Sequence, residues 1–157
     1  NRPEYDRYYK KLIEERARIE ERSDEIRKIL DIGNEYLEKI RNSNKLIKDK
    51  DITEKLYKME KIVATIFREV DINPGQSGKL SMFLNYYLPT TEKLLTTYID
   101  IAEKKIEGTS IQHSKKEIEH GLDMLIESFE GILNQFYEEQ EMDIVSDVAA
   151  METIMTQ

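Results

Sequence analysis

Hydroxyl side chains gather around one proline. In "FLNYYLPTTEKLL", residues 83–95, Tyr86 and Tyr87 precede Pro89, and Thr90 and Thr91 follow it. Leu84, Tyr87, Leu94 and Tyr98 recur at helical spacing, so the proline stands inside a helical pattern. It cannot donate to the carbonyl of Asn85, and its ring crowds that carbonyl. The stretch is apolar on several faces, which marks a helix buried on more than one side. These residues predict a kink within a buried helix. The four hydroxyls then either satisfy the freed carbonyl or present a small polar pocket.

Two further groups have residue types that do chemistry. His113, Glu117 and His120 share a helical face at spacings of four and three. Glu117-x-x-His120 is half of a di-iron carboxylate motif, which needs a second such pair and two more glutamates. The chain has only these two histidines. Solvated histidines are the plainer reading, and a surface metal site the weaker one. The acids between Glu138 and Asp147 offer oxygen ligands of the kind Mg²⁺ or Ca²⁺ takes. No EF-hand spacing or turning glycine accompanies them, so a solvated acidic junction between two helices is expected there.

Other templates fail on spacing. "GQSGKLS" at 75–81 has two residues between Gly75 and Gly78 where a phosphate-binding loop needs four, and no strand precedes it. It reads as a turn and a helix start. Serine elbows and paired zinc-helix histidines are absent from the sequence, and with no cysteine there is no thiol nucleophile, disulfide or thiolate metal site.

The elements that must position these groups all read as helices. A first helix is expected from Pro3 to about Asn42. Tyr5, Leu12, Ile19, Ile26, Gly33 and Ile40 recur every seven residues in it, and Tyr8, Ile29 and Tyr36 supply a second seam position. Glu15 and Arg22 thin the stripe in the middle. Such a helix spans roughly 60 Å, too long for one small globule. It is expected to pair with itself, another chain or a later helix, or to lie solvated along a bundle. A second helix starts at Asp51, which has capping-box spacing to Glu54, and carries Ile52, Leu56, Met59, Val63, Ile66 and Val70 without a miss. A third runs from Ser77 or Gly78 past Pro89 to about Glu107, with Lys104 and Lys105 in its last turn and Gly108 ending it. A fourth carries the seam from Ile111 to Phe136. After the acids a last helix has Ile144, Val148, Met151 and Met155 at four-three-four spacing. The expected fold is all-α: a long coiled-coil-like helical arm over 1–50 and an antiparallel helical bundle over 51–157.

Composition agrees. Of 157 residues, 36% are charged and 39% hydrophobic, too apolar for disorder and helical in character. The net charge is −8, and residues 108–157 hold only Lys115 and Lys116 as bases, so a nucleic-acid partner is not expected. The most apolar stretch, Ile62 to Phe67, is far short of a membrane span. Any membrane contact is expected from segments outside this chain.

"FLNYYLPTTEKLLTTYIDI", followed after a spacer by "FYEEQEMDIVSDVAAMETIMTQ", resembles the XpaC family of bacterial 5-bromo-4-chloroindolyl phosphate hydrolysis proteins. The motifs cover about residues 78–157, and the arm matches in character. The resemblance implies a helical, membrane-associated bacterial protein, often with hydrophobic segments upstream. It also implies a TelA-like toxic-anion-resistance protein as a partner. Tyr86, Tyr87, Pro89, Thr90, Thr91, Glu139, Asp143 and Asp147 are the family-motif residues, and none carries an assigned catalytic role. Two readings follow. One is a phosphate monoester hydrolase with a cleft near Pro89 and a divalent metal on the acids at 138–147. The other is a non-enzymatic interaction module at the membrane surface, binding a protein partner, or itself, through the arm. The expected location is the cytoplasm or the inner face of the membrane.

Overall fold

The computed structural model describes the backbone of residues 2–104 and 108–157, and the side chains of all of these except Arg2, Ile19, Gln76, Ser77 and Lys79. The fold is an all-α bundle, with no strand among the described residues.

Helix α1, Arg2–Leu46, is one continuous helix. Pro3 sits in its first turn, where a missing N–H costs nothing. From Ile26 onward its heptad faces the core: Ile26, Gly33, Leu37 and Ile40 are buried. Gly33 is needed there, because a Cβ would lie 2.7 Å from the Phe67 ring. Earlier in the helix Tyr5, Tyr8, Tyr9, Leu12 and Ile13 are exposed. Among the described side chains of the expected stripe from Tyr5 to Ile40, Tyr5, Tyr8 and Leu12 are therefore left uncovered by this chain, and cover begins at Ile26. The reason is length: helix α2, Lys50–Ile72, has 23 residues against 45, and runs back along the second half of α1.

Asp49, not Asp51, caps α2. Its side chain accepts from the backbone N–H groups of Asp51 at 2.9 Å and Ile52 at 3.3 Å. Ile47 is buried in the turn, which brings the chain round early enough for the helix to start at Lys50. All six expected seam residues of α2, Ile52 to Val70, are buried.

After α2 a 3-10 segment, Pro74–Leu80, crosses the end of the bundle. The expected helix start at Ser77 or Gly78 falls inside it, and regular helix resumes only at Ser81. A π-helical turn, Phe83–Tyr87, leads into helix α3, Leu88–Glu103. The end of that helix expected at Lys105 to Glu107 lies outside the described residues. Gly108 is extended, at φ −139° and ψ 157°, and precedes helix α4 as its N-cap.

Helix α4, Thr109–Met155, has 47 residues and runs unbroken through Glu138, Glu139, Glu141 and Asp143. The expected junction and separate last helix are thus one helix. Charge alone does not interrupt a helix that is exposed all round. Glutamate is a good helix former, and no glycine or proline occurs after Gly131.

Each helix runs opposite to the one before it. Arg41 of α1 is paired with Glu60 of α2, and Gly33 faces Phe67. Phe83 and Phe129 meet at 5.1 Å, while Leu94 faces Gly121. The α2-to-α3 passage takes the diagonal. Consequently α1 lies parallel to α3, with Lys39 on Glu92 at 3.1 Å. Likewise α2 lies parallel to α4, where Lys55 meets Glu119 and Asp123, Lys58 meets Glu130, and Gln140 donates to Glu69 at 2.8 Å. Around the bundle the order is α1, α2, α4, α3. Beyond the level of Ile26 and Gln140, α1 and α4 both continue from the same end of the bundle, on opposite corners.

Candidate functional site

The segment around Pro89 is anchored by aromatic packing. Phe83 is fully buried between Phe67, at 5.5 Å between ring centroids, and Phe129, which it meets edge-on. Tyr87 also meets Phe129 edge-on at 6.3 Å. These contacts fix the π turn on the core. Its wider register answers the proline: Leu88 N–H donates to the carbonyl of Phe83, five residues back, and the extra residue per turn gives the pyrrolidine ring room. The chain bends its hydrogen-bonding register and keeps helical dihedrals on both sides, with φ −67° and ψ −45° at both Tyr87 and Leu88.

The hydroxyls separate. Thr91 is buried, and its Oγ1 donates to the carbonyl of Tyr87 at 2.8 Å, not to that of Asn85. Asn85 Nδ2 lies 3.4 Å from Ser81 Oγ. Tyr86 is exposed and stacks edge-on with Tyr87 at 5.6 Å; Tyr87, Pro89 and Thr90 are half-buried. Leu88, Thr91, Glu92 and Leu95 of α3 and Tyr36 and Lys39 of α1 line a groove of about 210 Å³, crossed by the Lys39–Glu92 pair. With its hydroxyl committed to the backbone, Thr91 brings mainly its methyl group to this groove. The result is a small cleft of mixed polar and apolar lining, with an ion pair at its edge.

The acidic candidates lie elsewhere. Phe129 marks the level of Tyr87 on α4, and Glu139, Asp143 and Asp147 follow ten, fourteen and eighteen residues later. At 1.5 Å per residue they stand about 15, 21 and 27 Å further along the axis. Glu139 is half-buried, and Asp143 and Asp147 are exposed. His113, Glu117 and His120 are all exposed near the opposite end of α4, where Leu94 meets Gly121. Among the described residues no group of three or more His, Asp or Glu is gathered closely enough to hold a metal ion. The acids at 138–147 therefore do not fit a divalent ion shared with the hydroxyls.

The polar clusters that the fold does assemble have no local sequence signal. Lys55 reaches Glu119 and Asp123, 64 and 68 residues away. Desolvation acts to lower its ammonium pKa, but the two carboxylates outweigh it and hold it above the ordinary 10.5. Tyr98 is buried, which raises its phenol above the ordinary 10.0, and the carboxylates of Asp49 and Glu119 push the same way. Both groups stabilise helix ends and seams; neither supplies a nucleophile near neutral pH.

Among the described residues, no helix is long and apolar enough to cross a membrane. No curated protein and no solved structure matches the chain. A family model described as 5-bromo-4-chloroindolyl phosphate hydrolysis protein matches residues 6–149.

Proposed function

Because the chain belongs to the 5-bromo-4-chloroindolyl phosphate hydrolysis protein family, we propose that it takes part in hydrolysis of that phosphate monoester as a helical protein-binding scaffold. It does not hold the ester in a catalytic cleft of its own. One observation carries this reading: the hydroxyl and acidic candidates stand about 15–27 Å apart along the bundle. Phosphoryl transfer needs its nucleophile, metal and charge-stabilising groups within contact of one phosphorus. What the helices present instead is two extensions with exposed apolar side chains, from Tyr5 to Ile13 in α1 and from Met142 to Met155 in α4. Exposed apolar faces of this size are interaction surfaces. A TelA-like toxic-anion-resistance protein at the membrane surface is the partner that the family resemblance offers.

The test is direct. Purified protein is incubated with 5-bromo-4-chloroindolyl phosphate and Mg²⁺, Mn²⁺ or Zn²⁺. No turnover above buffer is expected with any metal. Turnover that co-purifies with the chain and falls on mutation of Thr91 or Asp143 would overturn the scaffold reading.

A further inference from the structure

The two extensions are complementary to each other in charge and in repeat. Residues 2–18 of α1 hold six bases against four acids, whereas residues 138–157 hold six acids and no base. In α1, Tyr8 and Leu12 take adjacent seam positions; in α4, Ile144 and Val148 do the same. All four are exposed, Tyr8 and Ile144 each at 62%. Tyr8 to Ile144 and Leu12 to Val148 are the same offset, 136 residues. One parallel register therefore brings both pairs together.

That register also matches the charges beside the seam. Lys11 and Arg16 flank Leu12 in the two outer positions of the heptad, and Asp147 and Glu152 flank Val148 in the same two. In a parallel pair an outer residue meets its counterpart in the next heptad. Lys11 then meets Glu152, and Asp147 meets Arg16. Pairing α1 with α1 in the same way sets Lys11 against Arg16, and α4 with α4 sets Asp147 against Glu152. Both like pairings are repulsive.

A single chain cannot make this contact. Its α1 runs into the bundle and its α4 runs out, so the two are antiparallel. They also stand on opposite corners, roughly 11–14 Å apart for neighbours spaced at the usual 8–10 Å. At this end α2 stops at Ile72 and the Pro74–Leu80 segment crosses to Ser81, so on the other two corners no helix continues beyond the bundle. A second copy turned end over end enters those corners with its own two extensions and runs parallel as required. The lengths agree: residues 2–25 of α1 span about 36 Å, and residues 141–155 of α4 about 22 Å. With the tip of each α1 against the other bundle, the partner's α4 covers the first fifteen or so residues of α1, where Tyr5, Tyr8, Tyr9, Leu12 and Ile13 lie.

We propose that two copies of this chain join tip to tip, the α1 extension of each laid parallel on the acidic α4 extension of the other. Glu15 and Glu141 fall within the seam, so the contact is short and reversible. This deepens the interaction reading given above by naming one partner, a second copy.

Sedimentation equilibrium of the full chain tests it. The native chain is expected to dimerise with concentration. Lys11→Glu with Arg16→Glu reverses the basic side, and Asp147→Lys with Glu152→Lys reverses the acidic side. Each double variant alone is expected to dimerise about tenfold more weakly or worse, from four opposed ion pairs per dimer. An equimolar mixture of the two variants is expected to recover the heterodimer, since every contact in it is again opposite in charge. These positions are exposed, so helical circular dichroism and thermal unfolding should be unchanged and a folding defect is separable. A native chain that stays monomeric overturns the proposal, as do variants that dimerise like the native chain. A mixture that recovers nothing overturns it too. The measurement reads association whatever the phosphate ester assay gives, so either reading can fail without the other.

Discussion

Thr91 is buried and polar, and its hydroxyl has one visible task, the bond to the Tyr87 carbonyl beside the π turn. Thr91→Val keeps the shape and removes the donor. A loss of about 1 kcal/mol in urea unfolding is expected, with Thr91→Ser closer to native because it keeps the hydroxyl. A second residue-scale expectation concerns alkaline pH. Tyr98 and Lys55 both have folded pKa values above their ordinary 10.0 and 10.5. A raised folded pKa gives stability that is complete below the unfolded pKa and lost as pH rises through the folded one. The unfolding temperature should therefore not vary with the titration of these two groups below about pH 10, where their contribution is complete, and should fall above it. Tyr98→Phe removes the phenol's share, so its decline above pH 10 should be shallower than that of the native protein.

Helix α1 holds its place through a glycine, and helix α4 contains one that does nothing of the kind. A Cβ on Gly33 would strike the Phe67 ring at 2.7 Å, while one on Gly131 meets nothing within 4 Å. Alanine at either site gains helix propensity of about 1 kcal/mol. At Gly33 the crowded ring costs about 1–3 kcal/mol against that gain, so Gly33→Ala should lower the urea midpoint. Gly131→Ala should raise it. The same contrast explains what the sequence made legible. The seam of α2 was complete because every residue of it is buried in this chain. The first half of α1 showed the same repeat without a partner in the chain, since a heptad states that a face is apolar and not what covers it. Pro89 announced a disturbed helix, but the π turn that accommodates it depends on Phe83 being held by Phe67 and Phe129, 16 and 46 residues away. Cap choice at Asp49 depended on where Ile47 is buried. The acids after Phe136 interrupt the apolar seam but not the helix, and a seam pattern does not distinguish the two. The candidate site was legible as a list of residues and not as a place: a helix separates Glu139 from Asp147 along its axis, and no local pattern records which level of a neighbouring helix either one faces.

At the scale of the whole molecule the buried side chains among the described residues lie between Ile26 and Phe136, and beyond them α1 and α4 continue as single helices. Backbone amides of α2 should exchange with solvent at the rate set by global unfolding. Those of α1 before Arg22 and of α4 after Val145 should exchange much faster at dilution, where a lone helix frays. Hydrogen exchange followed by mass spectrometry at low and high protein concentration checks this, and comparable protection throughout at dilution would contradict it. The diagonal placement of the two long helices also has a hydrodynamic consequence. Helices of 45 and 47 residues make each molecule about 70 Å long. A rod of that length has a radius of gyration of roughly 20 Å, against about 15 Å for a compact chain of this size. Friction with the solvent will therefore make a single molecule elute from a sizing column ahead of a globular standard of 18.6 kDa. Early elution is thus a property of one molecule's outline, and mass must be weighed by scattering or equilibrium sedimentation.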